Sequence, residues 1–235
     1  MKNILQLCQE VSSLACTQKP LNLFDEDSQQ EALFLNLAKD TLSSLVAYGD
    51  WQELVKEGCL KTKARKTDYP VSDFCPDFYS LVNNTIFIKD RSEKVIGSLT
   101  PEQYMKEKYF HLDSCRIKFK IQNGCFRFLS QPPADLKIVF QYRSAVVATD
   151  ETGEEKTELS ANTDVPVFDS YLVKLGILWR WYKRNGMDYT EEFNEYEREV
   201  KKRFAGSLAV KDIALSNPFN PSEWTGVIIH ANTTN

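Results

Sequence analysis

The residues from Asp164 to Phe204 constrain this chain more than any other stretch. Phe168, Tyr171, Leu172, Leu175, Leu178, Trp179 and Tyr182 recur at spacings of three and four, which lays one apolar stripe along a helix. Asp164, ahead of Val165 and Pro166, reads as an N-cap with proline in the first turn. Asn185-Gly186 reads as the stop, because both residues tolerate a left-handed C-cap. A second helix follows with Tyr189, Phe193, Tyr196, Val200 and Phe204 on one face. Its charges run from Glu191 and Glu192 to Lys201, Lys202 and Arg203, the order that complements the helix dipole. Two such helices with so short a break form a helical hairpin. Trp179 and Trp181 lie about 200° apart on a helix of 3.6 residues per turn. Trp179 continues the stripe of Leu172 and Leu175, so Trp181 is expected to face a β domain or a neighbouring subunit.

Helical periodicity also opens the chain. Ile4, Leu7, Cys8, Val11 and Leu14 share one face over residues 3–16, and Pro20 follows in a break. The opening MKNILQLCQEV runs into Gln9 and Glu10, which reads as an amphipathic helix and not as a signal peptide. Asp25 to Ser28 supplies helix-start residues. Ala32, Leu33, Leu35, Leu37, Leu42, Leu45 and Val46 then carry a helix to about Tyr48. After Gly49-Asp50, Trp51, Leu54 and Val55 read as one further turn before Gly58, with Trp51 as a buried anchor between helices. The basic run KTKARK, residues 61–66, reads as a solvated linker, with phosphate contact as the functional alternative.

The period changes after that run. Asp73-Phe74-Cys75-Pro76-Asp77-Phe78 is turn-rich and aromatic, and Thr85 to Ile88 reads as a strand. Lys94 to Gly97 is a short strand or turn, and TPEQ from Thr100 is a capping box for a short helix to Lys108. Ile117, Phe119 and Ile121 alternate with Lys118 and Lys120. Asn123-Gly124 is a strong hairpin signal, and Cys125, Phe126 and Phe128 fall on the return strand. Pro132-Pro133 ends that hairpin, and Leu136 to Val147 forms a more buried strand. An acidic loop, Thr149 to Thr163, leads back to the helices. The expected fold class is therefore α+β. A discontinuous antiparallel helical bundle (residues 1–66 and 151–206) carries an inserted small antiparallel β domain (67–150) and ends in an extended C-terminal arm (207–235). Phe219, Trp224, Val227, Ile228 and Ile229 make that arm too apolar for an ordinary disordered tail.

The chemistry-bearing residues are sparse. The formal charge of −4 argues against a nucleic-acid-binding surface over the whole protein, and no apolar run approaches a membrane span. Six cysteines without a CxxC pair read as free thiols in a reducing cytosol. His111 and His230 have no second ligand at metal spacing, and no catalytic metal or cofactor is expected. Cys115 with His111 is a weak Cys–His arrangement, set against a structural histidine. Asp164 and Asp169, or Glu191, Glu192 and Glu195, can be drawn as a carboxylate metal site. Capping and a solvated helix face use them better. No catalytic residue is assigned.

In the order of these pieces the chain resembles the head-to-tail adaptor (upper tail-tube, or tail-tubular) proteins of short-tailed bacteriophages. The likeness runs through LQLCQEVSSLA, GDWQEL ahead of KTKARK, DFCPDFYSL, LTPEQYMKEKY, FKIQNGCFRFLSQPPADLKIVFQYRS and NTDVPVFDSYLVKLGILWRWYKRNGMDY. The resemblance implies a structural virion protein of the tail or neck, assembled in the host cytoplasm, without catalysis, cofactor or membrane. It implies a ring of twelve copies beneath the portal protein, which attaches a tail nozzle or tail-tube protein and lets DNA pass without specific binding. It also implies portal docking through a C-terminal extension; in this chain the apolar Phe219, Trp224, Val227, Ile228 and Ile229 would be the anchors, and Trp181, set off the core stripe by helix geometry, is the candidate subunit contact. Two other classes stand beside it. One is a monomeric module that binds a peptide or protein; the other is a metal-dependent nucleic-acid-processing enzyme resting on Asp164 or Glu192.

Overall fold

The computed structural model describes residues 2–25, 28–89, 91, 93–110 and 116–207. His111, Cys115, His230 and the five arm anchors lie outside the described residues. The described chain mixes five helices with antiparallel strands, an α+β fold.

Helix α1 (Ile4–Leu14) starts on a reciprocal cap, in which the Asn3 side chain accepts from the Gln6 amide and the Gln6 side chain accepts from the Asn3 amide. It buries Ile4, Leu7, Cys8 and Val11, but Leu14 is 53% exposed because it ends the helix and projects past the core. Helix α2 (Gln29–Tyr48) is capped by Ser28. Its buried face is Phe34, Leu37, Ala38, Thr41, Leu42, Leu45 and Val46, while Ala32, Leu33 and Leu35 are only half-buried.

The expected helical turn at Trp51 to Val55 is instead a 3-10 turn over Gln52–Leu54, and Val55 opens strand β1 (Val55–Lys61). Every residue of β1 pairs with β8 (Lys137–Ser144), from Val55 opposite Arg143 to Lys61 opposite Lys137. That ladder overrides a short apolar run that periodicity cannot assign. Between them come β2 (Asp68–Pro70), β3 (Phe78–Leu81), β4 (Phe87–Ile88) and β5 (Glu93–Lys94). Helix α3 (Pro101–Phe110) follows, capped reciprocally by Thr100 and Gln103. Strands β6 (Phe119–Gln122) and β7 (Cys125–Phe128) flank Asn123 and Gly124, whose φ values of 51° and 66° make the two-residue turn. The order β1-β8-β4-β5, with β3 also on β8, makes one sheet, and β2-β7-β6 makes a second. A small third sheet joins β9 (Ala148–Thr149) to β10 (Glu155–Lys156) and β11 (Val165–Pro166).

Val165–Pro166 is therefore a strand and not a first helical turn. Helix α4 (Ser170–Arg184) is capped by Asp169, which accepts from the amides of Tyr171 at 2.8 Å and Leu172 at 3.2 Å. Asp164 is fully buried and otherwise engaged. Its carboxylate accepts from the Ser160 and Ala161 amides at 2.7 and 2.9 Å, and its carbonyl accepts the Ile4 amide at 2.8 Å. The residue read as a cap of α4 thus holds the loop that receives the first turn of α1. Helix α5 (Thr190–Ser207) completes the pair with α4.

The buried apolar residues form two clusters. One joins α1, α2, α4 and α5 with Trp51, Leu54, Val147, Ala148 and Leu159. The other, from Leu60 to Tyr142, lies within the sheets and stacks Phe119 on Phe126 at 5.1 Å and Phe126 against Phe140 at 5.2 Å. The helical cluster gathers residues from both ends of the described chain, and the sheet cluster draws only on its middle.

Candidate functional site

The region where α5 meets the start of β1 is built from aromatic residues spread along the whole chain. Trp51 is buried, and its indole nitrogen donates to the Leu45 carbonyl at 2.8 Å. Its ring lies 5.6 Å from Phe168 and 5.2 Å from Phe204, and Phe204 also meets Tyr48 edge-on at 5.2 Å. Gly49 makes this possible, since a Cβ there would stand 2.4 Å from the Phe204 ring. Beside this cluster is a cavity of about 270 Å3 lined by Trp51, Phe168, Asp169, Leu172, Arg203 and Gly206. Asp169 serves two ends there, with one oxygen capping α4 and the other meeting Arg203 at 3.0 Å. Gly206 belongs to the last turn of α5.

Trp179 faces α5, with ring centroids 5.1 Å from Phe193 and 6.1 Å from both Tyr189 and Tyr196. Arg180 stacks over the Trp179 ring at 4.4 Å and donates to the Gly176 carbonyl and to Ser44 Oγ, which ties α4 to α2. Trp181 is half-buried against the helical cluster and not against the sheets, with Tyr182 as its ring neighbour at 5.6 Å. The β-domain contact expected of it is thus replaced by the helical core. Its exposed part faces outward.

A second constellation sits where the five-stranded sheet meets β10. Lys56 of β1 pairs with Asp77 at 2.8 Å and with Glu155. The same Asp77 carboxylate accepts from the Tyr142 hydroxyl at 2.8 Å and from Ser144 Oγ at 2.7 Å. Burial pushes the Asp77 carboxyl up, but the hydrogen bonds from Lys56, Ser144 and Tyr142 outweigh it and hold the group down at about 2. Burial, and then the bond to Asp77, pushes the Tyr142 phenol up. Burial works against the Lys56 ammonium, yet Asp77 and Glu155 raise it. Each charge is spent on another member of the cluster, so the arrangement ties the sheet to the β9–β11 connector.

The carboxylates that a metal site would need do not converge. Asp164 binds its own loop, Asp169 caps α4, and Glu195 accepts from the Tyr171 hydroxyl. Among the described residues no group of three or more His, Cys, Asp or Glu could hold a metal ion. No described helix is long and apolar enough to cross a membrane. Asp77 escaped sequence reasoning because its partners lie 21, 65 and 67 residues away, and no local spacing connects them. No family model matches the chain, and no curated protein matches it.

Proposed function

We propose that this chain is a head-to-tail adaptor of a short-tailed bacteriophage, a structural virion protein that carries out no catalysis. Twelve copies form a ring under the portal, enclose part of the DNA channel and attach the later tail components. In this reading α1, α2, α4 and α5 form a discontinuous antiparallel bundle, the sheets form an inserted β domain, and residues 207–235 form an extended arm. Phe219, Trp224, Val227, Ile228 and Ile229 are the portal anchors, and the outward part of Trp181 meets the next copy. The observation that carries the reading is the order of segments: short helix, long helix, aromatic turn, capped helix, Asn-Gly hairpin, helical pair. The Phe204–Trp51 contact adds support, since it seats the end of α5 and so offers a fixed point from which an arm can leave.

Electron microscopy of the full chain mixed with portals of short-tailed phages tests this. A closed ring seated on one of them is the expected result; a chain that stays monomeric with every portal overturns it. Deleting the residues after Gly206 should leave near-normal melting and abolish docking. A large fall in melting temperature would instead assign the arm to the helical core and favour a monomeric binding module.

A further inference from the structure

The outward face of the five-stranded sheet carries a row of like charges. Strands β1 and β8 set Lys61 directly opposite Lys137. On the other edge of β8, Ile88 faces Ile138 and the Lys89 amide donates to the Lys137 carbonyl at 2.8 Å, so Lys89 is next in the same row. Cross-strand partners project from one face. The residues beside them, Leu60, Ile138 and Ile88, are buried on the other. All three lysines are exposed. Strands about 4.8 Å apart therefore hold three ammonium groups along a line of about 10 Å. Like charges in facing positions oppose sheet formation, so the stability of the sheet does not account for them. Asp135 pairs with Lys61 at 2.9 Å with both side chains exposed, a weak and screened contact. Lys89 and Lys137 make no ion pair among the described residues.

The KTKARK segment, expected to be a linker, is fixed beside this row. Thr62 is buried, and its hydroxyl donates to the Pro133 carbonyl at 2.6 Å and accepts the Leu136 amide at 2.9 Å. The Tyr69 hydroxyl accepts the Lys63 amide at 2.8 Å and donates to the Lys66 carbonyl at 3.1 Å. Those bonds hold exposed Lys63 and Arg65 at the same end of the sheet. The next row on the outward face holds Cys59, Val139, Phe87 and Lys94, with Phe87 39% exposed. Residues 55–144 contain sixteen Lys and Arg against ten Asp and Glu, a net of +6; the chain total of −4 leaves −10 for the rest.

We propose that this cationic end of the sheet binds the phosphate backbone of nucleic acid without reading bases. Lys61, Lys89 and Lys137 contact the phosphates, and Lys63 and Arg65 extend the track. A regularly charged polyanion suits a row of evenly spaced point charges, and a lysine ammonium donates to phosphate oxygens in many directions. Phe87 beside the row offers a flat apolar face to a sugar or a base. The site is complete within one copy, so it stands or falls independently of ring formation.

Fluorescence anisotropy of the full chain with labelled duplex and single-stranded DNA, at about 50 to 300 mM salt, tests it. The association constant should fall linearly with salt on logarithmic axes, and K61A/K89A/K137A should reduce the duplex slope by about 2.7, at 0.9 per phosphate contact. The variant K19A/K39A/K202A removes the same charge from exposed positions on the helical side and should leave the slope unchanged. Should the first triple fold poorly, K137Q alone should lower the slope by about 0.9. Absence of binding at 50 mM salt, or equal loss in both triples, overturns the proposal. So does polyglutamate that competes as well as DNA, which would assign the face to an acidic protein.

Discussion

Replacing Asp77 by Asn tests whether the Lys56–Asp77–Tyr142–Ser144 cluster is a structural tie. The side chain is 17% exposed and accepts three hydrogen bonds, one of them from a cation. Its carboxyl is depressed from 3.8 to about 2, which at 1.36 kcal/mol per unit corresponds to about 2 kcal/mol of folding free energy. Because the folded value lies below the unfolded one, that stability is fully present above pH 3.8 and is lost as the pH falls toward 2. Asp77→Asn should therefore cost about 2 kcal/mol at pH 7, or about 4–8 °C in melting temperature for a chain of this size. The gap between variant and wild type should close as both are taken below pH 3. Urea titrations of the pair at pH 7, 5, 4 and 3 measure it. A variant as stable as wild type at pH 7, or a gap that stays constant through pH 3, would refute the argument.

Gly176→Ala should destabilise by about 1–3 kcal/mol, because its Cβ would stand 2.3 Å from Thr41 Cγ2. Adding Thr41→Ser, which removes that methyl and keeps the hydroxyl bond to the Leu37 carbonyl, should restore most of the loss in thermal melts. Trp179→Ala should cost about 3–5 kcal/mol in chemical denaturation, and Trp181→Ala clearly less; equal losses would remove Trp181 from any subunit interface. All six cysteines should titrate as thiols after unfolding without reductant, and Cys8, Cys16, Cys59, Cys75 and Cys125 are free in the fold. In the native protein an alkylating reagent should reach exposed Cys16 and Cys59 first. Cys8, buried and pushed up to about 12, should react only on unfolding.

What could be read from the sequence was what depends on neighbours a few residues away. The stripes of α4 and α5, the Asn123-Gly124 turn and the Thr100–Gln103 cap are local devices, and each appears where its residues stand. Strand β1 reads locally as the end of a helical segment because its partner, β8, lies far along the chain and nothing in VKEGCLK announces the pairing. Asp-Val-Pro satisfies the local rule for a cap at Asp164, but the backbone at Ser160 and Ala161 claims its carboxylate. The basic run is the solvated connection that its composition suggests, but the bond that anchors it at Thr62 comes from Leu136, 74 residues away, which no local spacing announces.

The contact of Phe204 with Trp51 bears on how tension would travel through this molecule. A pull on the chain beyond Gly206 reaches the last turn of α5 first, and there the ring of Phe204 is seated on Trp51 and Tyr48. Trp51 stands at the head of the short turn that becomes β1, so the strain passes directly into a strand paired over seven residues with the centre of the sheet. That ladder, if drawn along its length, must break many hydrogen bonds together. The far end of the same strand is Lys61, in the lysine row. A pull on the end of α5 thus has a short route to the charged end of the sheet, and stretching single molecules by residue 206 and residue 61 would measure its stiffness.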